Sequence, residues 1–325
     1  HSDDATAEIA REIARSNPAA ARLTIVQAGP RPDGWAGKVW ALREGVAAAV
    51  SERGAPDFWL FTDADIVHHP GSVASLVATA VNDRRDLVSL MVRLRCETPW
   101  EQLLIPAFVF FFRKLFPFAW VNDDRSLTAA AAGGCVLISH DMLVRIGGLE
   151  RIASAVIDDC SLASAVKRGG GRLRLGLSTR IESIRSYESL DEIWTMVARS
   201  AYAQLDFSKA NVVGTIAAMG LLYGVPPLAT IAGVLRGDRV TATAGASAWA
   251  IMTLAFAPTL RLYRQHPLAG LALPFSAALY TLMTLDSARR HESGLGNAWK
   301  GRALNGKSIS PSSTPASPAL GERRR

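Results

Sequence analysis

Polar and apolar positions divide the chain near residue 210. Beyond it run three stretches without a charged residue, 212–235, 240–260 and 268–285, of 24, 21 and 18 residues. A helix needs roughly 18–20 apolar residues to cross about 30 Å of hydrocarbon, so each is long enough to span. Buried core helices are the alternative, but short arginine-bearing loops separate the three stretches, which favours membrane helices. Pro226-Pro227 falls mid-span in the first stretch and predicts a kink there.

Before residue 210, helix-like and strand-like segments alternate. Residues 3–17, 38–53 and 159–168 read as helices; 23–28, 58–62, 87–92 and 134–139 read as strands. Pro70 suits the first position of a further helix reaching residue 81. This order predicts an α/β domain with a mainly parallel sheet covered on both faces, and ligands bind beyond the carboxyl ends of such strands. One segment breaks the alternation. Residues 100–118 contain LLIPAFVFFFRKLFPF, too short and too proline-interrupted to span. With Arg113 and Lys114 beside an aromatic face, it suits a helix lying in a membrane interface; a core helix is the other reading.

Charge sharpens the division. The net charge of the 325 residues is +7, yet residues 1–210 hold 24 Lys/Arg against 25 Asp/Glu. Residues 211–285 hold 4 against 1, and 286–325 hold 8 against 3. A nucleic-acid-binding domain would carry its basic residues on the folded face, so no nucleic-acid partner is expected. Instead a neutral domain (1–210) meets a membrane region (211–286) and a basic, Ser/Pro-rich tail (287–325) that reads as disordered and drawn to anionic lipid. Trp299-Lys300-Gly301-Arg302 in that tail reads as an interfacial anchor. Three full crossings would put the tail opposite residues 1–210, whereas the tail and the Arg261/Arg264 loop both favour the cytoplasmic side; a re-entrant or interfacial segment would remove the conflict. Cys96, Cys135 and Cys160 share no close spacing, which speaks against a disulfide framework or a zinc site.

Candidate chemistry lies in the first 210 residues. Asp63-Ala64-Asp65 follows a buried strand, and two carboxylates there suit Mg²⁺ or Mn²⁺ shared with substrate phosphates. A solvated turn is the alternative, with His68-His69 as turn residues rather than metal ligands. Asp158-Asp159 opens a helix, either as dipole-complementing caps or with one acid serving as a general base. Lys38, just inside a helix after Gly37, suits an anionic ligand or is a solvated lysine. Gly133 and Gly134 precede a strand and suit a narrow ligand wall, while Arg199 and Gln204 lie on a polar helix face beside the first apolar stretch.

In this order the motifs resemble a membrane-bound family 2 glycosyltransferase, and within it the hopene-associated subfamily of hopanoid-producing bacteria. The residues that carry the likeness are Gly34-Trp35-x-Gly37-Lys38, Thr62-Asp63-Ala64-Asp65, Leu104-Ile105-Pro106-Ala107-Phe108 and Ala131-Ala132-Gly133-Gly134-Cys135. Gly147-Gly148, Ile157-Asp158-Asp159, Arg199 with Gln204-Leu205, and Trp299-Lys300-Gly301-Arg302 continue it. The resemblance implies a GT-A-like (Rossmann-like) α/β fold with a mixed sheet lacking its first strands, followed by transmembrane helices, and inverting transfer from a nucleotide-sugar donor to a lipid acceptor. It implies donor binding through Asp63, Asp65 and a divalent metal, and Asp159 as catalytic base. The enzyme would sit in the bacterial inner membrane with its catalytic domain in the cytoplasm. Two departures stand out. Asp158 replaces the longer first acid of the family's Glu-Asp pair, and Arg-Ser-Ala-Tyr-Ala-Gln replaces the Gln-x-x-Arg-Trp of processive relatives. The resemblance also implies a chain that begins after the family's second strand, with an incomplete donor pocket and weak or no activity as written. A polyprenyl-phosphate glycosyltransferase, or a non-catalytic membrane scaffold or transporter subunit, are the alternatives.

Overall fold

The computed structural model describes residues 5–17, 22–293, 298–299 and 302–303. The first helix, α1 (Thr6–Ser16), buries none of its residues, and Ile9 and Ile13 lie exposed. The α/β unit continues with α2 (Gly37–Arg53), β1 (Phe58–Thr62), β2 (Ile66–His68), α3 (Ser72–Asn82) and β3 (Leu87–Arg93). After an excursion through α4 (Pro99–Leu115) and the single turn α5 (Phe118–Val121), the chain returns as β4 (Cys135–Ser139). It ends with α6 (His140–Arg145), α7 (Asp158–Arg168) and β5 (Leu173–Ser183).

The five strands form one sheet in the order β1-β4-β3-β5-β2. Only β3 and β5 run parallel; β1–β4, β3–β4 and β2–β5 are antiparallel, so the sheet is mixed, as the family resemblance implies, and not mainly parallel as the order of elements alone suggests. The reason is the excursion after β3, which brings β4 in from the opposite end. Coverage on both faces follows from period-two alternation. Val136 and Ile138 of β4 meet Val39, Met142, Leu162 and Val166 from α2, α6 and α7, while Cys135 and Leu137 meet Leu76 and Ala80 of α3.

Three local expectations change. Residues 23–28 are extended but join no ladder, leaving Leu23 and Val26 exposed. The helix expected from Pro70 starts at Ser72, because Gly71 caps it in the left-handed conformation at φ +79°. His68 is a strand residue opposite Ile181, not a turn residue.

α4 joins the sheet unit to the apolar helices. Thr98 and Glu101 form a capping box at its start, and Glu101, Leu104, Ile105, Pro106, Ala107, Val109 and Phe110 are buried. The core-helix reading therefore describes its inner face. Pro106 has no N–H, so the Gln102 carbonyl loses its helical donor; the Gln265 side-chain amide donates to it instead at 2.9 Å.

α8 (Leu190–Ala198) and the one-turn α9 (Ala201–Gln204) lead into three long apolar helices, Lys209–Arg236, Arg239–Leu262 and Pro267–Glu292, each long and apolar enough to cross a membrane. The first is α10 (Lys209–Met219), a π turn over Gly220–Gly224 and α11 (Val225–Arg236), which places Pro226-Pro227 in the opening turn of α11. The second is the continuous α12 (Arg239–Leu262). The third opens as a 3-10 turn, Pro267–Ala272, before α13 (Leu273–Glu292). α11 and α12 pack so closely that a Cβ on Gly245 would lie 2.6 Å from the Thr230 nitrogen. Ala298–Trp299 pairs with Arg302–Ala303; Lys300 and Gly301, the Ser/Pro-rich tail and Ser2 to Asp4 lie outside the described residues.

Candidate active site

β1 ends at Thr62 opposite Cys135 of β4, so the segment ahead of β4 is drawn to the end of β1. The Thr62 hydroxyl donates to the Gly134 carbonyl at 2.9 Å and fixes the two together. Its one proton being used there, it accepts from His68 Nε2 at 3.0 Å. A cleft opens beside this junction, lined by Lys38, Thr62, Asp63, Gly133, Asp158 and Asp159 over an apolar floor that includes Phe61 and Leu162.

Lys38 extends from the first turn of α2 to the aspartates. Its Nζ lies 3.0 Å from Asp63 and 3.2 Å from Asp158. Burial depresses its pKa, but Asp158 and Asp63 outweigh that and leave it above the usual lysine value. The Lys38 and Asp63 side chains are 34% and 40% exposed, so that ion pair is worth about 1 kcal/mol at most and can be exchanged for a ligand.

Asp158 and Asp159 occupy the first turn of α7, where carboxylates complement the helix dipole. Asp159 is held from two sides: Gly133 N–H donates to one oxygen at 2.6 Å and Cys160 N–H to the other at 2.7 Å. Burial and the neighbouring Asp158 charge nevertheless raise its pKa to about 6, against the opposing pull of those N–H groups and Lys38. Gly133 leaves little room for a side chain, since a Cβ would lie 3.1 Å from the Asp159 carboxylate and 3.3 Å from Lys38 Nζ. Gly134 serves packing: its Cβ would press on Ile66 and Val92 at 3.3 Å.

The other predicted residues stand further out. Asp65 accepts from the Ser183 hydroxyl at 2.7 Å at the end of β5, and it does not line the cleft. Asp63 and Asp65 are thus engaged by different elements. Arg199 follows α8; burial and then Arg185 lower its pKa, and Tyr187, Asp158 and Asp63 oppose them only in part. Gln204 ends α9, and among the described residues no side-chain hydrogen bond joins it to the aspartates.

Two anchoring groups escaped the sequence reading. Ser183 was invisible because it meets Asp65 across 118 residues. Glu101 had a local signal, the Thr98-x-x-Glu101 box, but nothing in sequence showed that it also accepts from Tyr187 N–H at 2.7 Å. Among the described residues, no group of three or more His, Cys, Asp or Glu side chains is arranged to hold a metal ion. Asp63 and Asp65 nevertheless suit a site completed by a ligand, because Mg²⁺ is commonly bound by one or two carboxylates together with substrate phosphates.

A mixed α/β sheet with acids at a strand end and a helix start, followed by long apolar helices, defines the class. Residues 1–203 match the family model described as glycosyltransferase like family 2, and the chain belongs to that family. It is a glycosyltransferase with a family 2 domain, followed by apolar helices. No curated protein matches it.

Proposed function

We propose that this chain is an inverting glycosyltransferase that moves a sugar from a nucleotide donor to a membrane lipid. The observation that carries the reading is Asp159: a carboxylate held by two backbone N–H groups at the floor of a cleft, with its pKa raised toward neutrality. A base poised near the working pH combines a deprotonated fraction with enough basicity to take the acceptor hydroxyl proton. That oxygen attacks the anomeric carbon as the bond to the diphosphate breaks on the opposite face, which inverts the centre.

Donor binding falls to Lys38 and Asp63, with Asp65 and Ser183 behind them. Asp63, Asp158 and Asp159 set three acids around one ammonium, so a diphosphate would be repelled unless a cation came with it. Asp63 and Asp65 would hold that ion, Mg²⁺ or Mn²⁺, which when bound neutralises charge on the leaving diphosphate. Lys38, freed from its exposed ion pair with Asp63, turns to a phosphate oxygen. Gly133 and Gly134 keep the wall thin, while Asp158 sets the charge on Asp159. Arg199 and Gln204 lie on the acceptor side, next to the apolar helices.

A hopanoid-related acceptor rests on the subfamily resemblance, as does the placing in a bacterial inner membrane with the catalytic domain in the cytoplasm. A polyprenyl phosphate is the alternative acceptor; its ionised phosphate oxygen would attack the same carbon with the same inversion but without a proton for Asp159 to take. Asp159→Asn is expected to lower transfer by about 10²–10⁴ while metal-dependent nucleotide binding persists. Loss of both together would give Asp159 a structural role. Mass spectrometry of lipids from a deletion strain would name the acceptor and the sugar together.

A further inference from the structure

The two ends of the third apolar helix, Pro267–Glu292, are tied to the same side of the molecule. At its start, the Gln265 side chain donates to the Gln102 carbonyl of α4 at 2.9 Å and to Cys96 at 3.3 Å. At its end, Asp286 accepts from Trp194 of α8 at 2.7 Å, and Ser287 accepts from Tyr202 N–H at 3.0 Å. Glu292 pairs with Lys209 at 2.8 Å, and His291 stacks on Phe207 with ring centroids 4.6 Å apart. Gln102, Trp194, Tyr202 and Lys209 all lie at or before the start of the first long apolar helix.

Between these ends the chain dips inward. The Trp249 indole donates to the Leu271 carbonyl at 3.2 Å, and a Cβ on Gly270 would lie 2.8 Å from the Thr253 methyl. Thr253 and Trp249 stand 9 and 13 residues before Leu262 at the end of α12, about 14 and 20 Å at 1.5 Å per residue. The turn at Pro267–Ala272 therefore reaches about half to two thirds of a 30 Å hydrocarbon core. α13 then returns along α10 and the π turn. Its Ser276 and Tyr280 hydroxyls donate to the Leu103 and Leu104 carbonyls of α4 at 3.0 and 2.9 Å.

We propose that Pro267–Glu292 is re-entrant: the chain crosses the bilayer twice, through Lys209–Arg236 and Arg239–Leu262, and the third apolar helix enters and leaves on the side of the catalytic domain. α4 and α13 together then form a surface seated in the near leaflet, and its occupant is that leaflet's lipid. Charge supports the assignment. Arg236 and Arg239 flank Asp238 in the loop on the far side. Lys209, Arg261, Arg264, Arg289 and Arg290, with Arg113 and Lys114 at the end of α4, fall on the near side. Basic residues collect on the cytoplasmic side of bacterial membrane proteins. Two crossings let the basic loop and the basic tail share that side with the catalytic domain, which three crossings forbid.

The inference rests on the membrane reading above, and fusions to the full chain in a bacterial host separate the two. Alkaline phosphatase fused after Arg325 is expected to be inactive, and a fluorescent protein there to glow. Phosphatase inserted at Gly237 is expected to be active. Phosphatase activity after Arg325 together with activity at Gly237 would overturn the re-entrant helix and leave the membrane enzyme standing. An inactive insertion at Gly237 in a chain that carbonate washes off membranes would overturn both. Maleimide labelling of single cysteines at Ser293 and Gly237 in sealed inverted vesicles gives a second readout that needs no fusion. Reaction of S293C but not G237C with an impermeant reagent supports the proposal, and protection of both, which three crossings require, overturns it.

Discussion

Burial, Asp158 and Lys38 together set the charge on Asp159, and the pH dependence of transfer should follow from that balance. With the Asp159 pKa raised to about 6, the proposed base is protonated below that value, so the rate is expected to climb as pH rises through about 6 and then level off. The neighbours shift this limb in opposite directions. Asp158 repels the Asp159 charge, so Asp158→Asn should lower the midpoint; Lys38 attracts it, so Lys38→Met should raise the midpoint. Initial rates across pH 5–8 decide this, and a midpoint that neither substitution moves would separate Asp159 from the titrating group. Gly133 tests the geometry in the same place. A methyl there would push on both Asp159 and Lys38, so Gly133→Ala should lower kcat by about tenfold or more with little change in the unfolding midpoint, since misplacing reacting groups is costly.

At the scale of elements, Glu101 ties α4 to the segment that follows β5. Its carboxylate accepts from Glu97, Thr98 and Tyr187 N–H at 2.7, 3.0 and 2.7 Å. Burial pushes its pKa up, but these N–H groups and Arg95 prevail and hold it below the ordinary carboxylate value. Stability from a carboxylate with a lowered pKa is present above its unfolded value and lost as pH falls through the folded one. Glu101→Ala should therefore destabilise by about 3–5 kcal/mol at neutral pH, a difference that shrinks as the solution is acidified toward and below about pH 4; thermal unfolding in detergent at two pH values checks it. β1 and the long apolar stretches were legible because each depends on neighbours close in sequence; the Thr98-x-x-Glu101 box that starts this helix carries a local signal of the same kind but was not read. Residues 23–28 have the apolar content of a strand, but a ladder needs a partner and the described residues provide none. Sheet direction was equally hidden. Only the path through α4 makes β4 antiparallel to β3, and 41 residues separate Arg93 from Cys135 in that excursion. The aspartates were legible as motifs, whereas the contacts that tune them, from Gly133 to Asp159 and from Ser183 to Asp65, close over long separations.

Over the whole molecule, the near-neutral catalytic region hides a local imbalance. Three acids face one lysine in the cleft, while the basic excess lies around the apolar helices and in the tail. A polyanionic donor is therefore favoured by the molecule's net charge and opposed by its cleft. A nucleoside diphosphate alone adds negative charge to that imbalance, and a divalent cation bound with it removes the conflict. The two should bind as a unit, so that neither alone stabilises the protein much. At a hundred times the dissociation constant, a ligand that binds only the folded state contributes about 2.7 kcal/mol. Thermal unfolding of the detergent-purified chain should thus show a clear rise in midpoint with nucleoside diphosphate and Mg²⁺ together. Chelation should abolish that rise, and Asp63→Asn should reduce it strongly. The same rise with diphosphate in the presence of chelator would make Lys38 and the more distant Arg199 sufficient for the donor, and the metal would drop out of the mechanism.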